Sequence, residues 1–353
     1  MLHAVFRRDH IPVLDGLRGV AVLLVLYSHL PTPLLGAAWE RALRYGRPGL
    51  IGVDLFFVLS GFLITRILLV DRARGRPLHL FLFKRFLRIF PIYYLLIAVL
   101  WFAAPGAYLI WGATYTLNVY QTFSATAAAG PPLGHAWSMA VEEHFYMLWP
   151  LVVMFLPLAW GRRIATWLGP VCIVVAAVIV VYGLRQWTSG WSGRALFFLT
   201  PFRMLALLAG AALAYHEGWV RADGGRAARL GWLLLVGGAL VMIITKPMSN
   251  LIGSATLTTG AVLLALAGRE SRAGAVLSSR GLRYVGRISY GLYLYHAPIY
   301  GALDSYIEPG PGHVVENDPL LWAAAVTVTF LVASYSYLLI ERPLLKLKDR
   351  IAA

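Results

Sequence analysis

The sequence predicts an all-α polytopic membrane protein of about ten transmembrane helices with both termini cytoplasmic, and three observations carry that prediction. Of its 353 residues, 59% are hydrophobic and only 13% charged, where a soluble domain carries roughly 25% charged residues. Apolar stretches long enough to cross a hydrocarbon core of about 30 Å recur along the chain. The basic residues behind the net charge of +15 cluster in short loops between those stretches, which is the positive-inside signature rather than a nucleic-acid-binding face. The mean hydropathy of +0.69 agrees. One domain over 1–353 is expected, with no linker to a second. The lone cysteine, Cys172, lies in an apolar span, which leaves no disulfide framework and no thiol metal site. No cleavable signal peptide is expected, because the first span is too long and carries charges.

The expected spans lie at about 11–30, 49–70, 86–104, 141–158, 165–183, 195–215, 230–246, 250–268, 284–301 and 320–340. Orientation follows from Lys and Arg. Arg7 and Arg8 precede span one, and Arg72, Arg74, Arg76, Lys84, Arg85 and Arg88 follow span two. Later even-numbered spans are also followed by arginines, and Arg342, Lys346, Lys348 and Arg350 close the chain. The opposite loops are poorer in them, with Arg41, Arg44 and Arg47 the exception. All the rich loops fall on one side if both termini are cytoplasmic.

The first span, from Ile11 to Leu30, is the most informative, because it holds Asp15, Arg18 and His29 at membrane depth. On an ideal helix, Arg18 and His29 come within about 20° of one face, about 16 Å apart, with Asp15 about 40° from His29. Ionisable groups inside a membrane point to function, because each is expensive unless it faces a cavity or a partner. Depth can then be assigned along each span. His29, Asp54, Glu142 and Arg203 fall in the outer half, whereas Arg18, Arg66, Arg85 and Arg88 fall in the inner half. Tyr290, Tyr293 and His296 lie along the ninth span. Most of these residues also admit structural roles. Glu142 and Glu143 could be acids favoured near a helix N-terminus; Arg85 and Arg88 could be positive-inside residues; His296 and the tyrosines could be packing. Ser60 reads as a small packing residue beside Gly61 rather than a nucleophile, since no G-x-S-x-G elbow surrounds it.

Six stretches, in order, carry a family resemblance: LDGLRG with ten residues between Arg18 and His29, GVDLFFVLSGFLI, FKRFLRIFPIYY, AWSMAVEEHFYMLWP, RISYGLYLYHAPI and the closing IERP at Ile340 to Pro343. Together they resemble the acyltransferase 3 family of bacterial integral-membrane O-acyltransferases, over about residues 11–343. Met139 departs from the Leu usual there. Many members add an extracytoplasmic SGNH-type hydrolase domain, and this chain is expected to be the stand-alone form. The resemblance implies transfer of an acyl group, usually acetyl from acetyl-CoA, to a hydroxyl of a glycan or glycolipid at the bacterial inner (plasma) membrane. It places catalytic function on Arg18 and His29 and on Glu142, and the CoA side on Arg85 and Arg88.

Chemistry refines these expectations. An alcohol needs a base to attack a thioester, and histidine suits the task at neutral pH; His29 is expected to be that base. Asp54 or Glu142 is expected to orient it, because Asp15 is about 21 Å away and pairs more naturally with Arg18. The phosphates of CoA call for arginines at the inner mouth, namely Arg66, Arg85 and Arg88, with Arg18 as a further candidate. Arg203, Trp137, Tyr293, His296 and Glu143 are the candidates for holding the acceptor, with Arg203 also placed to steady an oxyanion. No metal is expected. The alternatives are acylation of a small natural product such as a macrolide, or a transporter using the same intramembrane charges. No inverted repeat supports the transporter.

Overall fold

A computed structural model describes residues 10–30, 47–124, 132–181, 191–244, 250–307 and 319–350, and among these it is all helix and turn. Arg7, Arg8, Arg41 and Arg44 lie outside the described residues.

Helix α1 (Pro12–Ser28) opens with proline in its first turn, where the missing N–H is not needed. Helix α2 (Pro48–Ala73) opens the same way after Arg47, whose φ of 45° turns the chain through the left-handed region. Next come α3 (Leu78–Ala103), the short α4 (Tyr108–Ala113) and α5 (Leu117–Phe123), and a 3₁₀ turn at Gly134–Ala136. That turn leads into α6 (Trp137–Phe155), followed by α7 (Leu158–Val181), α8 (Trp191–Phe198) and α9 (Thr200–Tyr215). The second half holds α10 (Glu217–Ala222), α11 (Gly224–Ile244), α12 (Asn250–Ala267), α13 (Arg272–Leu277), α14 (Arg280–Arg287) and α15 (Ser289–Ile307). Helix α16 (Pro319–Ser336) runs through one π-helical turn, Tyr337–Glu341, into α17 (Arg342–Arg350).

Helices therefore occupy all ten stretches expected to span. By length and composition alone, five described segments could cross a membrane: Pro48–Ala73, Leu78–Ala103, Gly224–Ile244, Asn250–Ala267 and Leu320–Leu347. The first helix is shorter, with 17 residues, and α6 and α15 carry more polar groups.

Helix α2 is the central element and packs on α1, α6, α9 and α12. Its backbone approaches α9 closely. A Cβ on Gly61 would lie 1.9 Å from the Leu207 carbonyl oxygen, and one on Gly210 would lie 2.0 Å from that of Val58. The loss of side chains at these two positions lets the helices touch backbone to backbone. Helix α1 meets α13 and α14 in the same way, through Gly16, whose Cβ would strike Leu277, and Gly286, whose Cβ would strike Asp15. With α1 and α2 so held, the polar groups of α1, α2, α3, α6 and α15 face a common space.

Candidate active site

That space is a cavity of about 280 Å³ lined by residues of five helices. Helix α6 contributes one face, because Ser138, Glu142 and Tyr146 recur at intervals of four and so stack along one side. From α15 come Ser289, Tyr290 and Tyr293; α2 contributes Ser60 among apolar neighbours; α1 and α3 bring Asp15, Arg18, Arg85 and Arg88.

The charges divide along the cavity. Arg18, Arg85 and Arg88 make no ion pair with any described residue, and Arg18 Nε and Arg85 Nε are buried without a hydrogen-bond partner. Arg85 lies 4.0 Å over the Tyr146 ring, a cation–π contact. The charges of Arg18, Arg85 and Glu341 all act on Arg88. Glu341 is turned inward by the π-helical turn and is only 8% exposed; such turns recur at functional sites. In the middle, Glu142 accepts hydrogen bonds from Ser60 Oγ and from Tyr146 OH, the latter at 2.6 Å. At the far end, Tyr293 OH donates to the His135 carbonyl at 2.9 Å and meets Ser138 Oγ at 2.6 Å.

Just beyond Tyr293 lies a group of imidazoles. His296 is wholly buried, with its ring 4.8 Å from that of His29 and 4.8 Å from that of His135. His29 caps the C-terminus of α1, is exposed, and donates from Nδ1 to the Val25 carbonyl at 2.9 Å. That donation leaves Nε2 as its free, basic nitrogen. His135, in the turn before α6, is pushed down to about 3 by burial first and by the charge of His29 second. It therefore stays neutral.

The structure separates several residues that depth alone had grouped together. The expected orientation of His29 by Asp54 or Glu142 is not formed. Asp54 is bound to Arg203 at 2.8 Å, both groups being 2% exposed, and Glu142 is held by Ser60 and Tyr146. Arg203 is enclosed by Phe57, Trp137 and Phe197 at 5.0–5.5 Å, and neither it nor Trp137 lines the cavity. Arg66 also faces elsewhere, binding Glu217 at 2.8 Å in a cluster with Arg221 and Arg269. Asp15 accepts from His10 at 2.8 Å rather than pairing with Arg18, and all three residues line the cavity. Glu143 does line the cavity, beside Glu142.

Sequence reasoning missed Ser138, Tyr146, His135 and Glu341. Tyr146 and Ser138 sit four residues on either side of Glu142 and could have been found from that spacing. Glu341, a single acid ending an apolar run, stood inside a quoted motif. His135 carried no signal, since its position depends on how the turn before α6 meets α15.

Comparisons with known proteins follow this geometry. The chain is 27% identical to peptidoglycan O-acetyltransferase OatA of Listeria monocytogenes, over 97% of this chain and 57% of that protein. It is 28% identical to O-acetyltransferase OatA of Staphylococcus aureus, over 98% of this chain and 59% of that protein. The chain thus spans a little under three-fifths of the length of these curated relatives. No solved structure matches it. A family model described as an acyltransferase domain matches residues 11–339, a range that takes in every residue lining the cavity except His10. The chain belongs to the acyltransferase 3 family.

Proposed function

We propose that the protein is a multi-pass O-acyltransferase of the bacterial inner membrane that moves an acetyl group from cytoplasmic acetyl-CoA to a hydroxyl of an extracytoplasmic cell-wall glycan. One observation carries the reading. Three guanidiniums without ion-pair partners among the described residues, on Arg18, Arg85 and Arg88, gather at a cavity whose far end adjoins the histidines. Unpaired charge in a low-dielectric interior is expensive, and a polyanionic ligand removes that expense. The names of the relatives, peptidoglycan O-acetyltransferase among them, support a glycan acceptor.

In this reading all ten helical stretches span the bilayer, both termini are cytoplasmic, and Arg18, Arg85 and Arg88 bind the phosphates of CoA from inside. The pantetheine arm lies along the cavity, where Ser60, Glu142 and Tyr146 offer polar contacts to its amides. The thioester comes to rest near Ser138 and Tyr293. His29 takes the proton from the acceptor hydroxyl at Nε2, its tautomer set by Val25 rather than by a carboxylate.

Binding and hydrolysis of acetyl-CoA by the purified full chain test this. The wild type binds and turns over; His29→Ala binds without turnover. Arg85→Gln combined with Arg88→Gln weakens binding at least about tenfold, since a hydrogen bond to a charged group contributes about 1.5–3 kcal/mol. Failure of the wild type to recognise any acyl-CoA would overturn the proposal and bring a transporter to the front.

A further inference from the structure

Among the described residues, no carboxylate takes the place that usually receives the other side of a catalytic imidazole at His29. The geometry points to a replacement, and the inference rests on the acyltransferase reading above. His296 sits on α15 one turn beyond Tyr293, which lines the end of the cavity. Its Nδ1–H is donated to the Tyr293 carbonyl at 2.7 Å, so in the neutral ring Nε2 can only accept. That nitrogen is buried with no hydrogen-bond partner. The ring meets His29 edge-on, with centroids 4.8 Å apart and planes at 72°. Two imidazoles thus touch, each with Nδ1–H held by a backbone carbonyl and each with Nε2 left over. One is exposed at the end of α1; the other is enclosed beside the cavity.

We propose that His296 is the proton-accepting partner of His29, carrying the proton of the acceptor hydroxyl to the departing sulfur of CoA. The acceptor O–H breaks, with its proton going to Nε2 of His29, and the oxygen bonds to the thioester carbonyl carbon. The C–S bond breaks with its electron pair on sulfur. One bridging water or a rotation of the exposed His29 ring must link the two Nε2 atoms, which make no hydrogen bond at rest; the proton then passes from His29 to Nε2 of His296, which hands it to the thiolate. The products are the acyl ester and CoA thiol, and both histidines return to their starting tautomers. An unpartnered Nε2 suits this role, since a nitrogen already bonded could not receive the proton.

The surroundings of His296 do not compete for it. The titratable groups whose rings pack against it are His29 from α1, His135 from the turn before α6, and Tyr293 and Tyr300 from its own helix. Tyr300 in turn packs on Trp322 of α16. Among the described residues, no carboxylate or guanidinium makes a hydrogen bond or ion pair with the ring.

His296→Asn is the sharpest test, because an asparagine amide nitrogen falls near the place of Nδ1 and can keep the bond to Tyr293 while Nε2 is removed. In the purified full chain this variant should lower kcat for acetyl transfer to a hydroxyl acceptor by about 10²-fold or more, the range of general acid–base catalysis. KM and Kd for acetyl-CoA should stay near the wild-type values. The acidic limb of the kcat–pH profile, set by the histidine pair, should also move. In His296→Ala, added imidazole should restore transfer in proportion to its free-base concentration, an effect that a packing role would not show. Wild-type kcat in His296→Asn would overturn the relay, as would a loss that tracks weaker acetyl-CoA binding or His296→Ala left unrescued. If His29→Ala is inactive and His296→Asn is not, the acyltransferase reading survives and the relay does not; if the wild type binds no acyl-CoA, both fall.

Discussion

Arg203 and Arg18 show two fates of an arginine at membrane depth. Arg203 is neutralised within the protein, with Asp54 at 2.8 Å and three aromatic rings around it. Arg18 makes no ion pair with any described residue, feels Glu341 only at longer range, and faces the cavity. The first arrangement is closed within the protein; the second leaves the charge open to the cavity, as the proposed function requires. Removing one member of a buried pair strands the other, so Asp54→Ala should destabilise the protein by about 3–5 kcal/mol. Replacing both, as Asp54→Leu with Arg203→Met, should recover most of that loss. Thermal unfolding in detergent with and without each change reads both outcomes, and full recovery of acetyl-CoA binding in the double variant would place the pair outside the site. At this scale the sequence singled out the charged residues, and Glu142, Arg85 and Arg88 line the cavity while His29 lies beside it through His296. The pairings were hidden, because they depend on which face of α2 meets α9, and alternatives such as Asp54 with His29 are equally compatible with depth.

Between elements, backbone contact rather than side-chain volume sets the geometry. Gly61 and Gly210 hold α2 against α9, and Gly16 and Gly286 hold α1 against α13 and α14, with would-be Cβ contacts of 1.8–2.0 Å to carbonyl oxygens. No rotamer relieves a clash with backbone, so Gly61→Ala or Gly286→Ala must push two helices apart. We expect each to lower stability by about 1–3 kcal/mol or more. Gly237 provides the contrast: it lies inside α11 with nothing within 4 Å of its would-be Cβ. Gly237→Ala should be neutral or stabilising by up to about 1 kcal/mol, the helix propensity difference. A series of melting temperatures for the three variants checks this, and equal effects at all three positions would refute the account. The small residue beside Ser60 was legible as a crossing point from Ser60-Gly61 alone. The hydrogen bond from Ser60 to Glu142 was not, since it requires α2 and α6 to present those positions to one cavity. Likewise the apolar pattern marked ten helical stretches, whereas the π-helical turn that brings Glu341 inward has no counterpart in hydropathy.

For the whole molecule, the charge distribution makes a directional claim. The net charge of +15 is carried mainly by loops that share one side in the proposed topology, and the free guanidiniums of the cavity lie toward that same side in the expected depth order. Positive loops remain cytoplasmic because of how membranes are assembled; under the proposed function, the same asymmetry puts the arginines of the cavity on the side where CoA is found. Under that proposal the donor and acceptor never need to meet in one compartment, and only the acyl group has to pass the middle of the bilayer. Proteoliposomes with the protein in a single known orientation test this. Acetyl-CoA supplied on the side of the basic loops should be consumed when a hydroxyl acceptor is present on the opposite side, and acetyl-CoA supplied on the opposite side should not. Binding should also weaken as salt rises, because three half-buried guanidiniums attract the phosphates across water that ions can enter. A rate that depends on neither sidedness nor salt would mean that the arginines do not receive the donor, and the pairing of cavity charge with loop charge would then be a consequence of membrane insertion alone.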